Sequence, residues 1–91
     1  MPSVNITYLD TTDAEDKLWY HGIRPEQVRA VLENRRAVTR NRRGRTADYL
    51  LIGRDEQGRC LTLAIVSTDD PLLWRVITGW YCKPSEAAKL R

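Results

Sequence analysis

No stretch of the 91 residues approaches the ~20-residue apolar run that a helix needs to span a bilayer. Histidine occurs once, at His21, so a single chain cannot assemble a multi-histidine metal site. The two cysteines, Cys60 and Cys82, are too few for a disulfide framework and follow no metal-ligand spacing. Each falls in a predicted strand, where a reduced thiol behaves as a small hydrophobe. The opening residues Met-Pro-Ser-Val-Asn lack the basic start and apolar core of a signal peptide. These absences predict a cytoplasmic protein with reduced cysteines. Also missing are a Walker loop, an HExxH pair, a nucleophile elbow and a Gly-rich dinucleotide fingerprint. No metal or cofactor is expected.

What the sequence has in excess is arginine in one place. Residues 35–45 hold six arginines and no acid, so the other eighty residues carry −3 within a chain of net charge +3. Guanidinium groups grip phosphate oxygens in pairs and steer polyanions inward, which makes such a block the usual footprint of nucleic acid or an acidic protein tail. Arg40, Arg42, Arg43 and Arg45 are the candidate RNA-binding residues, with Gly44 letting the loop bend. The bland alternative is a solvated loop that only keeps the protein soluble.

The chain is organised around residues 48–68. Two apolar runs, Tyr49–Gly53 and Cys60–Val66, flank the polar break Asp55-Glu56-Gln57-Gly58, a β-hairpin pattern with Gly58 free to take positive φ. Upstream, Thr12-Asp13-Ala14-Glu15 fits a capping box opening a helix over about 13–21, which Gly22 ends. Pro25 starts a second helix whose stripe is Val28, Val31 and Leu32, with Ile23 and Val28 spaced as a hydrophobic staple and Asn34 as the stop. A strand follows over 37–41, then the hairpin. The turn Asp69-Asp70-Pro71 leads into a last strand over 72–81. Strict alternation there puts Trp74, Val76, Thr78 and Trp80 on one face, and Arg75, Ile77, Gly79 and Tyr81 on the other. Pro84 opens a short C-terminal helix. A short strand over 4–9 is an additional reading. The expectation is one α+β domain: two N-terminal helices, a four-stranded antiparallel β meander and a short C-terminal helix, with the helices on one side of the sheet.

A second group of functional side chains gathers toward the end of the meander: Arg54, Arg75, Tyr81 and Lys83. Metal-free RNA cleavage needs a base for the 2′-hydroxyl, cations for the charged phosphorane and an acid for the leaving oxygen. Arginine and lysine suit the second task; tyrosine, lysine or histidine suit the others. Each also has an ordinary reading, Arg75 in an ion pair and Tyr81 as a half-buried strand aromatic. Histidine is the residue type made for proton transfer near neutrality, yet His21 also stands at a helix end, where it serves structure. Trp19, Trp74 and Trp80 stack on bases in one reading and anchor the core or an interface in the other.

Several of these residues carry a family resemblance. Asp10, the spacing to His21-Gly22-Ile23, the helix with Glu26, Val28 and Leu32, Tyr49-Leu-Leu-Ile-Gly-Arg54, Gly58-Arg59-x-Leu61, Arg75-Val-Ile-Thr78 and a helix with Glu86 resemble, in order and spacing, the BrnT-like toxins of toxin–antitoxin pairs. A related set of small domains with the same helix pair, hairpin and Val-Ile-Thr strand fits as well. The resemblance implies a RelE-like fold and a metal-independent endoribonuclease acting on mRNA during translation, with a ribosome-dependent version left open. It also implies neutralisation by a cognate DNA-binding antitoxin. Arg54 and Arg75 match basic positions of the family pattern. The family's next basic pair is replaced here by Trp80-Tyr81, with Lys83 close by. The expected catalytic set is therefore Arg54, Arg75, Tyr81 and Lys83. A second reading is a non-catalytic module of the same fold that binds RNA or an acidic protein. A third is a homodimer formed through the tryptophans.

Overall fold

The computed structural model describes residues 6–42 and 46–90. It contains β1 (Tyr8–Asp10), α1 (Glu15–Tyr20, entered through a 3-10 turn at Thr12–Ala14), α2 (Pro25–Glu33), β2 (Arg36–Arg40), β3 (Tyr49–Arg54), β4 (Cys60–Ser67), β5 (Leu73–Tyr81) and α3 (Pro84–Ala87, running on into a 3-10 turn at Ala88–Leu90). The general α+β expectation holds. The sheet, however, has five strands in the order β1-β5-β4-β3-β2, and β1 lies parallel to β5 while the remaining pairs are antiparallel. The four-stranded antiparallel meander is thus extended by a parallel edge strand of only three residues.

Local chemistry explains most of the elements. The first helix opens differently from the capping-box expectation: the Thr12 N–H donates to the Asp10 carboxylate at 2.9 Å, so Asp10 does the capping. That bond lies between residues two apart and lowers the Asp10 carboxyl below its ordinary range; the hydrogen bonds to Thr12 are the main cause, with a smaller pull from the Arg75 charge. The helix ends as expected. Gly22 takes φ +76°, its N–H donates to Trp19 O at 2.9 Å, and Ile23 N–H donates to Leu18 O at 2.8 Å, the Schellman closure. α2 follows with Pro25 at its first position and Gln27 Oε1 accepting from the Arg24 N–H at 2.8 Å. In the hairpin Gly58 takes φ +81°, and Asp55 Oδ1 accepts from the N–H groups of both Gln57 and Arg59 at 2.9 Å.

The main core lies between the two N-terminal helices and one sheet face. Leu18, Ile23, Val28 and Val31 pack against Leu51, Leu61, Leu63, Ile65 and Val76. Side chains of this kind, fully removed from water, each contribute about 1.5–3 kcal/mol of transfer free energy.

Three corrections follow from the sheet. The pairing Ala64↔Thr78 is followed by Ile65↔Val76, so Ile77 is an extra residue, a β-bulge in β5. The side-chain period is two, so the bulge reverses the alternation after Val76. Gly79 and Tyr81 join Trp74 and Val76 on the helix side, opposite Leu63 and Leu61, while Thr78 and Trp80 share the other face with Ala64 and Thr62. Second, the helices do not all cover one side. The segment 88–90 packs against β2 and β3. Leu90 is buried there but stands apart from the main core, so α3 lies on the face opposite α1 and α2. Third, Cys60 and Cys82 form a disulfide, with Cα atoms 5.3 Å apart and the Cys82 N–H bonded to Cys60 O at 2.9 Å. Reduced cysteines are expected from a pair too few for a framework and set in strands as small hydrophobes; the β4–β5 register makes these two, 22 residues apart in sequence, neighbours. Disulfides persist in oxidising surroundings and are rare in the cytosol, so this pairing does not follow from a cytoplasmic placement. No helix among the described residues is long and apolar enough to cross a membrane.

Candidate nucleic-acid interface

The face that carries α3 holds a groove of about 620 Å³. Its floor is made by the outward residues of four strands: Thr39 from β2, Leu50 from β3, Ala64 from β4, and Thr78 and Trp80 from β5. One wall is the end of β2 and the residues after it, where Arg40 and Arg42 stand. The base of that loop is closed by the Asn41 N–H on Asp48 O (3.0 Å) and Asn41 Nδ2 on Ala47 O (3.0 Å), which fixes where Arg42 leaves the sheet. The opposite wall is α3, contributing Lys83, Ser85, Glu86 and Lys89.

Among the described residues, four cations and one carboxylate therefore line the groove. The carboxylate is already engaged: Glu86 accepts from Trp80 Nε1 at 3.0 and 3.2 Å and from the Lys83 N–H at 2.8 Å. These bonds hold α3 to the sheet and fix the indole in the floor. Arg40, Arg42, Lys83 and Lys89 are exposed and border a cavity with an aromatic ring at its base. Guanidinium and ammonium groups placed this way suit phosphate oxygens, and an indole suits a base.

Of the sequence-predicted residues, Arg40, Arg42 and Lys83 meet in this groove. Arg43 and Arg45 lie outside the described residues. The other three are elsewhere. Arg54 ends β3, is exposed, and donates to Gly58 O at 2.9 Å, bracing the hairpin turn. Arg75 sits near the far end of β5, opposite Val66, with its Nε 4.0 Å from Asp13 and its backbone in register with Asp10. Six residues of strand separate it from Tyr81, roughly 20 Å at about 3.3 Å per residue. Tyr81 points to the helix side, where its hydroxyl donates to Gly22 O at 3.1 Å and accepts from Gln27 Nε2 at 3.1 Å; the Arg59 guanidinium lies 5.7 Å from its ring centroid. Arg54, Arg75, Tyr81 and Lys83 thus do not converge on a single phosphate position.

The groove also includes residues that sequence reasoning passed over. Lys89 continues the spacing Lys83, Glu86, Lys89, three residues apart on one helical face, and that period is a readable signal. Trp80 was weighed as a base-stacking ring, but strict alternation gave no reason to set it beside Arg40. Among the described residues no group of three or more histidine, cysteine or acidic side chains is placed to hold a metal ion. Compared with protein families and with curated proteins, the chain matches none.

Proposed function

We propose that the protein binds single-stranded RNA in the groove between β2 and α3, as a module that holds the strand without cutting it. The observation that carries this reading is the groove itself, with Arg40, Arg42, Lys83 and Lys89 around a floor containing Trp80. Cations there neutralise consecutive phosphates while the indole offers a stacking surface that tolerates any base. The aromatic floor favours RNA over an acidic protein segment, which needs cations alone. The resemblance to BrnT-like toxins supports RNA as the polyanion. Its nuclease chemistry would need the Arg54, Arg75, Tyr81 and Lys83 side chains at one phosphate, and their separation argues for binding without scission.

The test is fluorescence anisotropy and gel analysis with labelled single-stranded RNA in EDTA. The expected result is intact, bound RNA whose logarithmic affinity falls with log salt at a slope near −3, about 0.7 per phosphate for four contacts on a single strand. Replacing Arg40, Arg42, Lys83 and Lys89 together by alanine removes that slope and most of the affinity. A flat salt response would overturn the reading. Cleavage in EDTA would replace it with the endoribonuclease.

A further inference from the structure

Among the described residues, β5 has no strand on one side beyond Arg75, because β1 pairs with Leu73, Trp74 and Arg75. Thr78 stands on this uncovered stretch and borders two cavities at once. One is the basic groove; the other, of about 450 Å³, is formed by Asp16, Lys17, Tyr20 and His21 at the end of α1. Resting on the RNA-binding reading above, we propose that the bound strand crosses the edge of β5 at Thr78 and that Tyr20 and His21 form a base-stacking subsite on the far side.

The two cavities differ in the chemistry that such a path requires. The groove presents four cations against one engaged carboxylate and is matched to phosphates. The second cavity has one acid and one base, Asp16 and Lys17, with nothing to draw a polyanion by charge alone. What it presents instead are rings. Tyr20 is 85% exposed, an unusual cost for an aromatic side chain, and it meets the His21 imidazole edge to face at 5.3 Å between centroids. The pairing braces the tyrosine ring at the end of α1, where the Schellman closure at Gly22 already fixes the backbone. A braced, solvated ring at the end of a basic groove offers a nucleobase a flat partner at little ordering cost. Trp19 is nearly as exposed, at 77%, but does not border this cavity and supplies a control.

The probe is a pair of fluorescein-labelled oligouridylates, about 4 and about 12 nucleotides long, which bracket common single-strand site sizes. The short oligomer fills the groove and the long one reaches past Thr78. In Tyr20→Ala/His21→Ala, affinity for the long oligomer falls roughly five-fold or more while affinity for the short one and the salt slope of both stay as in wild type. Tyr20→Phe restores binding, since the ring and not the hydroxyl is used, and Trp19→Ala changes neither affinity. Unchanged binding of the long oligomer by the double variant would overturn the subsite, as would equal weakening of both lengths. If wild type bound neither oligomer, the groove reading would fail first and the subsite with it.

Discussion

Asp55 shows at the residue scale how little a turn signal says about burial. Its side chain is inaccessible to solvent, yet it accepts hydrogen bonds from Gln27 Nε2 at 3.0 Å, from Arg59 Nε at 2.9 Å, and from the N–H groups of Gln57 and Arg59. Burial alone would raise its carboxyl; the donors from Gln27, Arg59 and Gln57 together outweigh that and hold it below the ordinary carboxylate range. A depressed carboxyl adds stability that is complete above the unfolded value of about 3.9 and is lost as pH falls through the lower folded value. Asp55→Asn, which turns an amide donor toward existing donors, is expected to cost about 1–3 kcal/mol at neutral pH in urea unfolding. The gap to wild type should then narrow below about pH 4, as the unfolded chain's carboxyl takes up its proton while the native one still holds out. The sequence identified Asp55 as a turn residue and left Gln27 unremarked. Their contact spans 28 residues, and Gln27, polar in a helix, reads as solvent-facing although it is 1% exposed. Pattern reading assigns polarity to water, and a buried donor that serves a distant carboxylate has no local mark.

Elements were legible where their punctuation is local and illegible where it depends on a partner strand. The Gly22 stop, Pro25 at the start of α2, the Ile23–Val28 staple and the Gly58 turn all appear as expected, because each is fixed by φ preference or by contacts within a few residues. The bulge at Ile77 was invisible for the opposite reason: it is a mismatch between two strands, and neither strand alone contains it. Its effect on Gly79 is measurable. A Cβ there would lie 2.7 Å from Leu63 Cδ2, 2.9 Å from Leu18 Cδ2 and 3.2 Å from Thr62 O. Gly79→Ala is accordingly expected to lower the urea midpoint by an amount corresponding to about 1–3 kcal/mol, the usual range for overpacking a core. Without the bulge, position 79 would face away from Leu18 and the same substitution would be nearly neutral.

For the whole molecule, composition and hydrophobic period were enough for an α+β domain and for the basic flank around Arg40. The three-residue β1 is too short to announce its parallel pairing, and the side taken by α3 is decided by where Leu90 finds apolar cover. The Cys60–Cys82 bridge closes a long loop between β4 and the start of α3. Cys60→Ser/Cys82→Ser is expected to lose about 3 kcal/mol by the chain-entropy account, read as a lower melting temperature than oxidised wild type. The bridge has one more consequence. Asp69, Asp70, Pro71 and Leu72 form the exposed turn between β4 and β5, and the bridge ties residues on either side of it. A protease that cuts there divides the backbone but releases nothing: the product runs as one band on a non-reducing gel and as two after reduction. The β4–β5 hairpin is a ring rather than a ribbon, so a single scission opens the ring without parting the α3 wall from the sheet that it covers.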